Sequence, residues 1–294
     1  MGAQGHRVIG IGHGHWPDCG RHGVTHWLNG EVVSANLRSL QRASGTPDLV
    51  FHFAGGSSVG ASLAQPREDF VRTVASTMEL LEWLRLEAPG ALLVAVSSAA
   101  VYGSSFAGPI TDTDFGTPYS PYGHHKAMME GLCRSYASSF GTKAVVARLF
   151  SVYGPGLRKQ LLWDACSRLA SGVKALKLGG SGQELRDWTD VRDVVRALQV
   201  VAPCANEQVP VINIGTGTAT PVREIAQRLV DCWAGGTSQP VPVTFDGHSR
   251  PGDPFSLVAQ PGRLAHLGFE FQTDWRKGLA EYVQWFRSAE GFTQ

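Results

Sequence analysis

Short apolar runs bounded by glycine, proline and polar residues alternate along this chain with longer stretches whose apolar positions recur at helical spacing. The short runs predict strands at Arg7–Ile11, Thr25–Leu28, Leu49–Ala54, Ala91–Val96, Ala144–Phe150 and Val209–Ile214. The longer stretches predict helices over Glu68–Leu86, Pro121–Phe140, Leu161–Ser171 and Pro221–Trp233, with a shorter helix over Asp190–Val201 opened by acidic residues. Strands alternating with helices argue for an α/β protein built on a parallel sheet. Gly179–Gln183 and Arg250–Pro254 read as loops, and the chain has no internal repeat or low-complexity tract.

Composition narrows the function classes. A chain of 294 residues can bury the core of one large domain, or of one domain with an appended lobe. Its formal charge is +1 and no run of basic residues tracks a phosphate backbone, so no nucleic-acid partner is expected. No segment reaches the roughly 18 consecutive apolar residues of a membrane span, and no signal-peptide pattern opens the chain. Met1-Gly2 does not begin a myristoylation motif, because His6 stands where Ser or Thr is needed. The expectation is a protein with no membrane partner. The five cysteines are odd in number and scattered, which favours reduced thiols and a cytoplasmic location. His13, His15, Cys19, His22 and His26 match no familiar ligand spacing, so the segment reads as a polar loop and no metal is expected.

The chemistry is carried by Tyr122-Gly123-His124-His125-Lys126 together with Ser97-Ser98-Ala99-Ala100-Val101-Tyr102-Gly103. A tyrosine and a lysine four apart on a helix share a face. An ammonium beside a phenol favours the phenolate, so the tyrosine can exchange a proton near neutral pH. That suits the oxygen of an alcohol or ketone undergoing hydride transfer. Strand alternation sends Ser97 and Ser98 to opposite faces.

Further segments in the same order complete a pattern: Asp48–Gly55, Arg148–Gly156, Gly180–Asp193, Asn213–Gly217 and Arg250–Asp253. With them, the chain resembles an extended short-chain dehydrogenase/reductase of the NAD-dependent epimerase/dehydratase family, which acts on nucleotide sugars. The resemblance implies a Rossmann-like doubly wound parallel sheet with a smaller C-terminal substrate-binding lobe. It assigns residues 1–155 and 187–217 to the NAD(P)-binding domain, and 156–186 with 218–294 mainly to the lobe. It makes Tyr122 the general acid/base, with Lys126 tuning it and bonding the nicotinamide ribose, and Ser98 positioning the substrate oxygen. Arg186 and Arg250 would hold the diphosphate, for which a planar fork of donors is well matched. Ser151 stands where the family usually has Asn. Ala54 and Gly55 would pass beside the cofactor.

The front of the chain departs from the pattern. Val8–Gly14 offers glycines without the Gly-x-x-Gly-x-x-Gly spacing, and Trp16-Pro17-Asp18 follows where a helix should begin. Gly5–Ile11 instead resembles the family's second strand, and Leu28–Val32 the end of its third. Gly12 and His13 then approach the adenosine ribose, and Glu31 and Val32 the adenine. On this reading the first βα unit, roughly 25–30 residues, is absent. The expectation is a fragment of a competent enzyme that binds cofactor poorly by itself; tight stoichiometric NAD(P) binding would overturn it. The cofactor is NAD or NADP, and the lack of an acid at Gly12 and His13 leans towards NADP.

Ala99 and Ala100 follow Ser98, where the family's 4,6-dehydratases resemble one another in carrying Asp-Glu, and Ala100 replaces the Cys of its 3,5-epimerase/4-reductases. Neither alanine can transfer a proton. What remains is 4-epimerisation of a UDP-, dTDP- or GDP-linked sugar by transient hydride transfer at C4, or NADPH-dependent reduction of a 4-keto sugar. A non-catalytic, truncated nucleotide-sugar binder is the reading outside enzymology. Family members commonly dimerise through two helices, which correspond here to 68–86 and 122–140, so a homodimer is expected. Phe70, Val74, Leu81, Leu84, Met128, Met129, Leu132 and Tyr136 are their apolar positions.

Overall fold

The computed structural model describes residues 1–235, 241–248 and 252–291. They group into two compact units, one of Met1–Ser97, Ser120–Val146 and Ala202–Pro210, the other of Ser98–Tyr119, Ala147–Val201 and Val211–Gln294.

In the first unit, β1 (Val8–Gly12) and β2 (Val24–Asn29) form a parallel pair with Ile11 opposite Leu28. Helix α1 (Ser34–Ser44) leads on to β3 (Leu49–His52). From β3 the chain runs through α2 (Val59–Ala64), α3 (Pro66–Phe70), a π-helical turn (Val71–Ala75) and α4 (Ser76–Glu87) to reach β4 (Leu92–Ser98). Helix α5 (Pro121–Phe140) then precedes β5 (Ala144–Leu149). Strand β4 lies between β3 and β5, parallel to β3 with Leu49 opposite Leu92. Leu93, Val94 and Ala95 are fully buried, as in a parallel strand covered on both faces. Leu81 and Leu84 from α4, with Met129 and Cys133 from α5, are also buried. Burial pushes the Cys133 thiol up to about 12, so it behaves as a neutral core side chain.

The second unit contains β6 (Ser151–Tyr153), α6 (Gln160–Ala170), β7 (Leu176–Leu178), β8 (Leu185–Arg186), β9 (Trp188–Asp190) and α7 (Val191–Val201). It continues with β10 (Val211–Ile214), β11 (Thr220–Pro221), α8 (Val222–Ala234), β12 (Val243–Phe245), β13 (Ser256–Leu257), α9 (Arg263–His266) and α10 (Trp275–Ala289). Strand β8 pairs with β11 antiparallel and with β13 parallel, β6 pairs with β9, and β7 with β12. Leu162, Cys166, Ile225, Leu229, Tyr282 and Phe286 from α6, α8 and α10 form its core.

Each predicted strand and helix has a counterpart, and three differences are physical. The expected strand over Leu49–Ala54 stops at His52, so Ala54 and Gly55 lie in the following turn. The expected continuous helix over 68–86 carries a π turn, which periodicity cannot reveal. Leu81, Leu84 and Met129 are core residues, whereas Phe70, Val71, Met78, Leu86, Met128 and Phe140 are exposed apolar side chains of these helices. Helices α1, α2, α9 and α10 have no counterpart among the predicted elements. Among the described residues no helix is long and apolar enough to cross a membrane.

His52 closes β3 and is buried. Its Nε2 lies 2.9 Å from Thr77 Oγ1, and the Thr77 hydroxyl donates to the Thr73 carbonyl at 2.6 Å. The imidazole is therefore the donor and carries its proton on Nε2. Burial, and secondarily the charge of Lys126, lower its pKa from 6.5 to about 3. Between those values the unfolded chain takes a proton that folded His52 refuses, so stability falls as pH drops from 6.5. His52→Gln should reduce the slope of unfolding free energy against pH by up to about 1.4 kcal/mol per unit in this window. Urea unfolding at pH 7 and pH 5 measures it, and an unchanged slope would rule His52 out as its source.

Candidate active site

Helix α5 starts where the sequence says it should. Ser120, in extended conformation, accepts the Gly123 amide at 3.2 Å, and Pro121 occupies the first turn. The Tyr122 amide, one of the donors a helix start leaves open, is taken by Ser62 Oγ of α2 at 3.0 Å. Ser62 is fully buried and donates to the Val59 carbonyl, so the backbone of Tyr122 is held from outside its own helix. One turn on, Lys126 is 4% exposed and its Nζ donates to the Val96 carbonyl of β4 at 2.9 Å. A further turn on, Glu130 accepts the Ser97 hydroxyl at 2.7 Å and lies 3.6 Å from Arg134. Tyr122, Lys126 and Glu130 thus share one face of α5.

The turn after β3 meets this face. Gly55 has φ +147°, and a Cβ on it would lie 3.1 Å from Lys126 Nζ and 3.2 Å from Thr73 Oγ1. The Gly56 amide donates to Thr73 Oγ1 at 2.7 Å. Thr73 sits in the π turn, which widens the helix where it meets Gly56. The structure therefore brings Gly55, Thr73 and Lys126 together, one turn of α5 from Tyr122.

Gly12 ends β1 and His13 follows it, exposed, while Glu31 and Val32 follow the end of β2. The Gly30 amide donates to the Gly12 carbonyl at 2.9 Å, so these residues stand at the ends of adjacent strands. A Cβ on Gly12 would press on the Trp27 ring at 2.8 Å. The missing acid at this position is thus also a consequence of packing. Among the described residues, the link from β1 to β2 holds a four-residue 3-10 turn and no α-helix, so it offers no helix N-terminus to a pyrophosphate.

In the second unit Ser98 opens a 3-10 turn (Ala99–Tyr102), its Oγ accepting the Ala100 amide at 3.2 Å. Tyr102 anchors that turn: its hydroxyl donates to Asn213 Oδ1 at 2.7 Å, and Arg148 lies 4.6 Å over its ring. Arg186 is on β8, where its Nη1 donates to the Leu185 carbonyl at 2.8 Å. Burial lowers its pKa, opposed by Asp253, Tyr119 and Glu184. Asp187, next in the chain, accepts the Thr216, Gly217 and Ala259 amides and fixes the Asn213–Gly217 motif. The Ser151 amide donates to the Asp187 carbonyl oxygen at 3.0 Å. Arg250 lies outside the described residues.

No local signal in the sequence singles out Ser62, Asp69, Thr73 or Tyr119. Ser62 lies in α2, Asp69 in α3 and Thr73 in the π turn, and their partners are remote in sequence. Tyr119, just before the helix start, lies 3.5 Å from Asp253 Oδ1.

Residues 1–215 match the NAD dependent epimerase/dehydratase family. The chain belongs to that family. UDP-glucose 4-epimerase of Azospirillum brasilense is 29% identical over 287 residues, covering 90% of this chain and 80% of that protein. The structure of MoeE5 in complex with UDP-glucose and NAD is 30% identical, with a TM-score of 0.83 over 98% of this chain and 93% of that one. DesIV, a dTDP-glucose 4,6-dehydratase from Streptomyces venezuelae solved with NAD bound, is 27% identical with a TM-score of 0.80, covering 92% and 81%. The fold is Rossmann-like α/β, as in these relatives. Within the first unit, the Lys126 ammonium beside the side-chain-free Gly55 is a hydrogen-bond donor of the kind a hydroxyl-bearing cofactor takes.

Gly56 is needed for packing, since a Cβ there would lie 1.7 Å from Asp69 Oδ1. Gly56→Ala should destabilise by about 1–3 kcal/mol. Gly60→Ala, on the open side of α2, should be neutral or stabilising. Thermal unfolding of the two variants compares them, and equal midpoints would mean that Asp69 gives way freely.

Proposed function

We propose that this chain is a nucleotide-sugar 4-epimerase that uses NAD. The observation that carries the reading is the face of α5, where Tyr122 precedes a buried Lys126 bonded to Val96 and close to Gly55. Bound NAD would supply hydride acceptance and return at the sugar carbon. Tyr122 removes the C4 hydroxyl proton and later restores it. Lys126 keeps a positive charge on the tyrosine's face of the helix, favouring the phenolate, and donates to the nicotinamide ribose. Ser98 hydrogen-bonds the substrate oxygen. Arg186 and Arg250 hold the diphosphate. The complex of MoeE5 with UDP-glucose supports a UDP-sugar, and dTDP- and GDP-sugars share the same diphosphate. Ala99 and Ala100 supply no proton donor for dehydration, which favours epimerisation over the chemistry of DesIV.

Exposed Phe70, Val71, Met78 and Met128 support a homodimer through α3, α4 and α5. A second reading, NADPH-dependent reduction of a 4-keto sugar, is favoured by Gly12 and exposed His13 at a strand end without a carboxylate. The two readings differ in cofactor economy, since epimerisation consumes none and reduction oxidises NADPH in step with product.

The test is a fluorescence titration of the full chain with NADH and NADPH, followed by UDP-, dTDP- and GDP-sugars assayed for interconversion at C4. Tyr122→Phe should lower turnover by about 100-fold or more while cofactor affinity stays within about twofold. Wild-type turnover in this variant would remove Tyr122 from the chemistry, and NADPH oxidation in step with product would replace the epimerase by the reductase.

A further inference from the structure

Asp69 and His125 form a contact that the proposed chemistry does not use. Asp69 lies in the last turn of α3 and is 5% exposed, and its Oδ2 lies 2.5 Å from Nδ1 of His125, whose side chain is 11% exposed. The Phe70 ring meets the imidazole edge-on at 5.4 Å between centroids. The other carboxylate oxygen of Asp69 occupies the place a side chain on Gly56 would take, only 1.7 Å from the ideal Cβ position. The amide of that same Gly56 is bound to Thr73 Oγ1, and Gly55 comes close to Lys126 Nζ. His125 immediately precedes Lys126 on α5.

We infer that Asp69 and His125 are a positioning pair that seats the Gly55–Gly56 turn beside Lys126. Three segments meet at one carboxylate. His125 fixes Asp69 to α5, Asp69 blocks the turn from moving inwards, and Thr73 holds it by its amide. Without the pair the turn can drift from the ammonium, although every residue assigned to the chemistry is still present. The functional consequence rests on the proposed cofactor-dependent epimerase; the clamp itself rests only on these contacts. Neither residue touches reacting atoms.

Hydrogen exchange of the full chain without cofactor reads the clamp directly. His125→Ala should speed exchange of the Gly56 amide by about tenfold or more at a preserved global unfolding midpoint. His125→Asn, whose amide nitrogen can donate to Asp69 from nearly the Nδ1 position, should restore it. Asp69→Asn keeps the shape and loses the charge, and it is read in parallel so that the result does not depend on an alanine variant folding. In turnover the loosened variants should lose kcat and NADH affinity while the KM for nucleotide sugar holds. Unchanged Gly56 exchange in folded His125→Ala and Asp69→Asn overturns the pair whatever the activity. A loosened turn in a chain that converts no nucleotide sugar leaves the pair standing and removes the epimerase reading.

Discussion

A buried ammonium is the constraint on which the first unit depends. Lys126 is almost wholly enclosed, and a charge taken out of water needs hydrogen-bond partners and a compatible field. The Val96 carbonyl supplies one partner. The field is kept compatible because His52, the nearby basic side chain that closes β3, is held neutral by burial and by the lysine itself. Gly55 leaves room for the ammonium by having no side chain. Each accommodation comes from a different segment, so the position of Lys126 records the fold of the whole unit.

Hydroxyl side chains carry much of the polar work inside that unit. Ser62 completes the start of α5, Thr73 takes the Gly56 amide, Thr77 links His52 to the π turn, and Ser97 satisfies Glu130. Buried polar groups are costly when unpaired, and here each of these is paired across elements distant in sequence. The π turn matters because it sets Thr73 out of ordinary helical register where the Gly56 amide needs an acceptor. In the second unit carboxylates do the corresponding work. Asp187 gathers amides from two segments, and Asp112 accepts the Asn213 and Arg263 amides at 2.6 and 2.8 Å. Such carboxylates hold loops in shape without secondary structure, and they hold the strand that carries Arg186.

Local pattern was enough to mark the predicted strands and helices and the start of α5, because Ser120-Pro121 is a local capping signal. The Tyr122–Lys126 pair was legible for the same reason, since i and i+4 on a helix is a one-dimensional rule. What stayed hidden depended on contacts between segments far apart in the chain. Asp69 and His125 are 56 positions apart, and nothing local to either predicts the other. Gly12 reads as a gap in cofactor recognition until Trp27 is seen lying against it. Leu81 and Met129 belong to the core while Phe70 and Met128 face solvent, a division that helical spacing alone could not make. Periodicity reports which residues share a face, and only packing decides which faces are covered, which charges are enclosed and which backbone amides find a partner.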